Sequence, residues 1–346
     1  MRIVQFELPG AGRRVGVVDG EAVVDVTAAQ PQWRRVADVF HAAERANAAL
    51  DDVLATAQTE TGVTRLEYAE LLNGQPGQDG PFLHPPVDAE DFHRVLITGT
   101  GLTHLGSMKS RDSMHSAKQP AEKSELTDSA KMFEMGLAGG KPQPGQRGAA
   151  PEWFYKGNGF NLRGHRWTLA LPGFARDGGE EAELVGCYLI DSQGTPRRLG
   201  FALGNEWSDH ATERINYLYL APSKLRECAV GPELMTDFDF QELKLNCHVV
   251  RKGKTIYESG ELLTGESHMC HALANCEDHH FKYPQHRCPG DVHLHYFGTS
   301  KLSYGTRDWR YEDGDEIHIT PASGPALVNI VRSSEEGGSV VAVVPA

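Results

Sequence analysis

Gly179-Glu180-Glu181-Ala182-Glu183-Leu184-Val185-Gly186-Cys187-Tyr188-Leu189-Ile190 opens on carboxylates and closes on an apolar tail. The tail marks a strand, in which Glu181 and Glu183 lie two residues apart and point to the same face. Two carboxylates aimed one way repel each other unless a cation or a proton sits between them. Hard oxygen donors at that separation suit Mg²⁺, Mn²⁺ or Ca²⁺ better than zinc. An isolated acid-x-acid strand start is more often a solvated face, so its meaning depends on the surrounding chain.

Downstream, Gly200-Phe201-Ala202-Leu203-Gly204-Asn205-Glu206-Trp207-Ser208-Asp209 reads as an apolar strand ending in a polar turn. Glu206 there offers a third carboxylate, completing a facial set of oxygen ligands with open positions for water or substrate. Ala221-Pro222-Ser223-Lys224 opens a helix expected over 221–230, with Pro222 suited to its first turn. A cation is disfavoured beside that end of the helix dipole, which points to an anionic partner for Lys224.

Upstream, residues 2–7, 14–18 and 22–26 are short β-rich runs separated by glycine-containing turns, the pattern of an antiparallel meander. Over 32–57, Val36, Val39, Phe40, Ala43, Ala46 and Leu50 recur at helical spacing. A small N-terminal α+β domain is therefore expected over 1–85. The stretch 73–86, rich in Gly, Pro, Gln and Asp, links it to a buried strand at 94–98. Residues 90–346 read as one β-rich domain, giving a class that is mainly β with some α (α+β). Helices are also expected at 127–137, inside a long polar stretch over 116–150 that forms a candidate flap, and at 267–276.

The chain has 346 residues and a formal net charge of −13. That length builds one large domain or a large and a small one, and excludes a peptide that needs metal or disulfides merely to fold. No apolar run approaches the roughly 18 residues of a membrane span, and the opening MRIVQFELPG is not a signal peptide. Both point to the cytoplasm. Six irregularly spaced cysteines do not form a disulfide framework, and the negative charge argues against nucleic acid or an anionic membrane as partner. A small molecule is the expected partner.

Taken in order, the motifs resemble the fumarylacetoacetate hydrolase superfamily. After the N-terminal meander come Pro151-Glu152-Trp153-Phe154-Tyr155-Lys156, then Glu181 and Glu183, then Asn205-Glu206-Trp207-Ser208, then Lys224, then Gly314-Asp315-Glu316-Ile317-His318-Ile319-Thr320. The match spans nearly the whole chain. Gly99-Thr100-Gly101-Leu102-Thr103-His104 and Met269-Cys270-His271-Ala272-Leu273-Ala274-Asn275 are similar to a bacterial branch associated with sugar-acid catabolism. The resemblance implies a mixed β-sandwich roll as catalytic domain, Mg²⁺ (or Mn²⁺) on Glu181, Glu183 and Glu206, and a homodimer. It makes Lys156 and Lys224 candidate catalytic residues, and Ser107, Arg111, Asn205 and Thr320 candidate substrate contacts.

The departures from that family are informative. Many of its hydrolases carry Gly-Leu-Asn-Tyr-x-x-His-x-x-Glu, whose His and Glu activate the attacking water. A gapless overlay places Thr103, His104, Ser107 and Ser110 on the Asn, Tyr, His and Glu, so that pair is missing unless His104, His115 or the flap replaces it. Glu206 stands for the usual Asp, and His210 for an Arg. His104 follows a tight turn of the kind that carries functional side chains, and is a candidate for proton transfer as well as a core histidine. The set His268, Cys270, His271, Cys276, His279, His280, His286 and Cys288 lacks a zinc-ligand register and reads as structural.

The expected activity is a Mg²⁺-dependent hydro-lyase that dehydrates 2-keto-3-deoxypentonate, a 2-keto acid, to α-ketoglutarate semialdehyde. A 2,4-diketo acid C–C hydrolase is the alternative. A non-catalytic keto-acid sensor is a third reading, disfavoured by the lysines and His104.

Overall fold

The computed structural model describes residues 1–116 and 126–346, without the side chains of 110 and 113–116. The Ser110 and His115 side chains and part of the expected flap therefore lie outside what the structure describes. The meander is β1 (Arg2–Leu8), β2 (Gly12–Asp19), β3 (Ala22–Asp25) and β4 (Thr64–Glu67), each antiparallel to the next. Between β3 and β4 the helical stretch divides into α1 (Val36–Ala46) and α2 (Leu50–Ala57), broken at Asn47, whose φ of 50° ends the first helix in the left-handed region. Helix α3 (Tyr68–Asn73) and the short β5 (Phe82–Leu83), which pairs with β1, complete this unit.

The rest of the chain runs β6 (Val95–Gly101), α4 (Leu105–Ser116), α5 (Asp128–Gly139), β7 (Glu152–Asn158), β8 (Leu162–Arg163), β9 (Thr168–Leu171), β10 (Ala182–Ile190) and β11 (Pro196–Asn205). It continues through α6 (His210–Glu213), α7 (Leu220–Lys224), β12 (Cys228–Met235), β13 (Leu243–Arg251), β14 (Lys254–Thr264), α8 (Leu273–Phe281), β15 (Val292–Tyr296), β16 (Glu316–Pro321) and β17 (Leu327–Ser333). One 12-stranded sheet has the path β4-β3-β2-β1-β12-β11-β10-β15-β6-β7, and a five-stranded sheet has the order β14-β13-β16-β17-β9. This is the mixed-sheet α+β class expected. The two units share one sheet, because β1 pairs with β12 at Arg2↔Met235 and Ile3↔Leu234.

All nine residues of β10 are buried because both faces of the large sheet are covered. On one face Val185, Cys187 and Leu189 join Val36, Val39 and Leu54 of the helical layer. On the other, Leu184, Phe201 and Leu203 pack against Leu245, Ile317 and Leu327 of the small sheet. Each fully buried aliphatic side chain contributes roughly 1.5–3 kcal/mol, so the central strands that carry the acidic motif are firmly anchored.

Two helix boundaries differ from expectation. The helix expected over 221–230 is the short α7, and β12 begins at Cys228. Burial between β11 and β1 overrides the local pattern there. The helix expected over 267–276 is α8, displaced toward the C-terminus. Of the 116–150 stretch, the described part folds as α5, with the Thr127 side chain capping its first turn and Gly136 packed against Cys270 and His271.

Candidate metal centre

The antiparallel pairing of β10 and β11 sets Glu183 opposite Gly204 and Ala182 opposite Asn205. The pairing extends past both strand ends: the Glu206 N–H donates to the Glu181 carbonyl at 3.0 Å, and Gly179 bridges Ser208. This zipper brings Glu206 alongside the same-face pair Glu181 and Glu183. One oxygen from each carboxylate lies within 4.8 Å of the other two, and all three residues are buried.

Cations neutralise two of the three. The Lys224 ammonium donates to Glu181 Oε1, to Glu206 Oε2 at 2.7 Å and to Ser208 Oγ at 3.3 Å. Lys156 Nζ lies 3.0 Å from Glu206 Oε1 and donates to the Trp207 carbonyl. His210 Nε2 is 3.1 Å from Glu181 Oε1. Burial alone would raise the Glu181 carboxyl, but Lys224 and His210 outweigh it and hold it below the usual range. Burial likewise opposes the Lys224 charge, and Glu181 and Glu206 outweigh it, so the ammonium stays protonated more firmly than a free lysine. For Lys156 burial wins over Glu206 and the group is pushed down.

Glu183 differs from its neighbours. Its Oε2 accepts the Gly298 N–H at 2.7 Å, and no cation contacts it among the described residues. Burial, then the charges of Glu206 and Glu181, push its carboxyl well above the usual range against the pull of Lys224. Three hard oxygen donors converging on a space where one charge is uncompensated fit a divalent cation of the Mg²⁺ or Mn²⁺ kind. No other group of three or more His, Cys, Asp or Glu side chains converges this way among the described residues.

A cavity of about 20 Å³ lies beside the triad, lined by the three glutamates, Lys224, His210, Glu213, Ser107 and Arg111, with Gly101, Leu102, Gly298, Thr299 and Leu302. Among the expected site residues, Glu181, Glu183, Glu206, Lys224, Ser107 and Arg111 thus come together. Lys156 and Asn205 stand behind the triad: Asn205 Oδ1 accepts from the Glu181 N–H at 3.4 Å, and neither residue lines the cavity. His104 and Thr320 are not brought there. The His104 ring is buried with Nδ1 2.8 Å from Thr103 Oγ1, and burial, then His268, lowers it to about 3. Thr320 sits in the small sheet opposite Asn246.

Lys224 occupies the last turn of α7, not the first, so the dipole favours its charge and its carboxylate partners come from tertiary packing. Sequence reasoning missed Glu152 and Glu213. Arg111 Nη1 donates to both oxygens of Glu152 at 2.6 and 2.7 Å, Arg111 Nε lies 2.7 Å from Glu213 Oε1, and the Tyr217 hydroxyl donates to Glu152 Oε2 at 2.7 Å. The only local signal was charge at 152 within Pro151-Glu152-Trp153. These pairings join β7, α4 and α6, which no spacing rule connects.

No family model matches the chain, and no curated protein matches it in sequence. Solved structures do match. A 2-keto-3-deoxyarabinonate dehydratase superposes with a TM-score of 0.69 at 18% identity, covering 96% of this chain and 99% of that one. A 2-keto-3-deoxy-D-arabinonate dehydratase complexed with magnesium and 2,5-dioxopentanoate gives 0.68 at 17% identity, over 97% and 100%. A fumarylacetoacetate hydrolase from Exiguobacterium antarcticum gives 0.60 at 16%, over 96% and 100%. The chain has the fold of these proteins from end to end, in agreement with the motif order.

Proposed function

We propose that this chain is a Mg²⁺-dependent hydro-lyase that converts a 2-keto-3-deoxypentonate to α-ketoglutarate semialdehyde (2,5-dioxopentanoate). The observation that carries the reading is the buried Glu181-Glu183-Glu206 triad with the Lys224 ammonium between two of its carboxylates. The likeness to a dehydratase holding magnesium and that dioxo acid supports it. A divalent cation on the triad supplies Lewis acidity toward the carboxylate and ketone oxygens of a 2-keto acid, which acidifies the C3 protons.

The protein's own groups supply the rest. Glu152 lies behind the cavity-lining Gly101, where a Cβ would come within 1.9 Å of its Oε1; the missing side chain leaves room for this carboxylate next to the cavity. We assign it the C3 proton, once Arg111 yields. Lys224, held protonated by two carboxylates, is the donor for the departing C4 hydroxyl. Lys156 fixes Glu206 from behind. Loss of C3–H and C4–OH forms a C3=C4 double bond and releases water; transfer of a C5 proton to C3 gives the enol of the C5 aldehyde, which tautomerises to the product, so no water has to attack carbon. Ser107, where many of the family's hydrolases carry a histidine, donates its hydroxyl to the His104 carbonyl at 2.9 Å and is a poor base near neutral pH, which supports this reading.

Incubation of the purified protein and Mg²⁺ with 2-keto-3-deoxypentonates and with 2,4-diketo acids tests the reading. Formation of 2,5-dioxopentanoate supports it, and pyruvate with a short hydroxy acid would favour hydrolysis. Glu152→Gln should lower kcat by roughly 10²–10⁴-fold with Mg²⁺ binding retained. The same reading carries a cytoplasmic homodimer, which sedimentation of the purified protein and cell fractionation check.

A further inference from the structure

Opposite the triad, the cavity wall holds a second charged group with no part in binding the cation. Arg111 of α4 is clasped by Glu152 of β7 and Glu213 of α6, and all three are buried. One guanidinium against two carboxylates leaves this wall with a net negative charge. The motif resemblance leads one to expect an arginine at position 210. Here α6 instead carries His210 and, one turn on, Glu213, its first turn pinned by Asp209 accepting the Thr212 N–H at 2.9 Å.

The space between wall and triad, about 20 Å³, is lined by Ser107 and Arg111 of α4 and by Glu213 of α6. Glu213 and Glu152 share the one guanidinium of Arg111, so this wall is net negative.

We propose that Glu213 is a specificity-determining residue. Among 2-keto acids held at the triad end by their C1 and C2 oxygens, it selects those with a neutral hydroxylated tail and excludes those ending in a second carboxylate. Tail hydroxyls donate to Glu213, whereas a second carboxylate would meet the like charges of Glu213 and Glu152, which already share the one guanidinium of Arg111. Discrimination of this kind is large because the mismatched group is left both unpaired and repelled. The inference rests on the proposed reading of the triad.

The test uses two acids that differ only at C5: 2-keto-3-deoxypentonate, with CH₂OH, and 4-hydroxy-2-oxopentanedioate, with a carboxylate. Calorimetric binding and kcat/KM are measured in saturating Mg²⁺. The unaltered protein should prefer the first by at least about 100-fold. Glu213→Gln should narrow that ratio at least tenfold, chiefly by gain with the diacid, while Glu213→Asp, which keeps the charge, should preserve it. A purely structural role for Glu213 would weaken both acids alike. An unaltered protein that takes the diacid equally well, or a ratio that Glu213→Gln leaves unchanged, overturns the inference. The unaltered protein and Glu213→Asp decide the matter if Glu213→Gln does not fold. An unaltered protein that binds neither acid overturns the proposed reaction itself, a result recognisable from the absence of any binding.

Discussion

Glu183 carries an electrostatic cost in the metal-free protein, because it is buried beside Glu181 and Glu206 and, among the described residues, only the Gly298 N–H bonds its carboxylate. Glu183→Gln keeps an acceptor for the Gly298 N–H and removes the repulsion. In chelator at pH 8 this variant should be more stable than the parent by about 1–3 kcal/mol in urea unfolding. Mg²⁺ at a hundredfold excess over its dissociation constant should stabilise the parent by about 2.7 kcal/mol and the variant hardly at all. A variant less stable than the parent in chelator would show that Glu183 is not under strain. The same-face pair was legible in the sequence because a strand repeats every two residues. His104 was not, because its role depends on which way the chain leaves β6. Leu102 there takes a left-handed conformation (φ 54°) and lines the cavity, whereas the His104 ring settles against Thr103 in the core. His104→Asn should therefore change kcat less than about threefold, far below the 10²–10⁴ of a group that moves protons.

At the scale of elements, the His-rich stretch that suggested zinc is an interface between α8 and the large sheet. His280 Nε2 meets His293 Nδ1 at 2.9 Å, and both nitrogens of His295 are bonded to Thr98 and Thr100 at 2.8 and 2.7 Å. The sequence showed eight potential ligands but not that strand alternation sends His293 and His295 to one face beneath α8. Burial, then the neighbouring histidines, lowers His293 and His295 to about 3 and holds His280 well below its usual value. The unfolded chain protonates these groups near pH 6.5. Between about pH 6.5 and 3 the unfolded state therefore binds protons that the folded state does not, so stability is full above pH 6.5 and falls as pH drops. Each such histidine contributes a slope of up to about 1.4 kcal/mol per pH unit. Urea unfolding from pH 7 to 5 should show this fall, and His293→Gln should flatten the slope by about one proton. An unchanged slope would mean that His293 is charged in the folded protein.

For the whole molecule, the sequence suggested a boundary between a small unit over 1–85 and a catalytic unit over 90–346, because the linker composition changes there. Hydrogen bonding crosses that boundary. The meander enters the large sheet through β1 and β12, the Met1 ammonium lies 2.9 Å from Asp237, and Arg2 Nε donates to Glu233 Oε2 at 2.7 Å while the Tyr68 hydroxyl donates to the same carboxylate. Strand pairing between segments more than two hundred residues apart leaves no trace in local composition, so the shared sheet was not legible in the sequence. β12 is also the strand that follows Lys224 and pairs with β11, whose end carries Glu206. The N-terminal unit therefore buttresses the wall of the metal centre. Calorimetry should record one unfolding transition for both units, with Mg²⁺ raising its midpoint as a whole. Glu233→Ala leaves Arg2 and the Tyr68 hydroxyl without their shared partner and should cost about 3 kcal/mol. That loss should lower the single midpoint, since neither unit keeps an intact sheet without the other. Two separated transitions, with only the lower one moved by Glu233→Ala and only the upper one by Mg²⁺, would show that the shared sheet does not couple meander to metal centre.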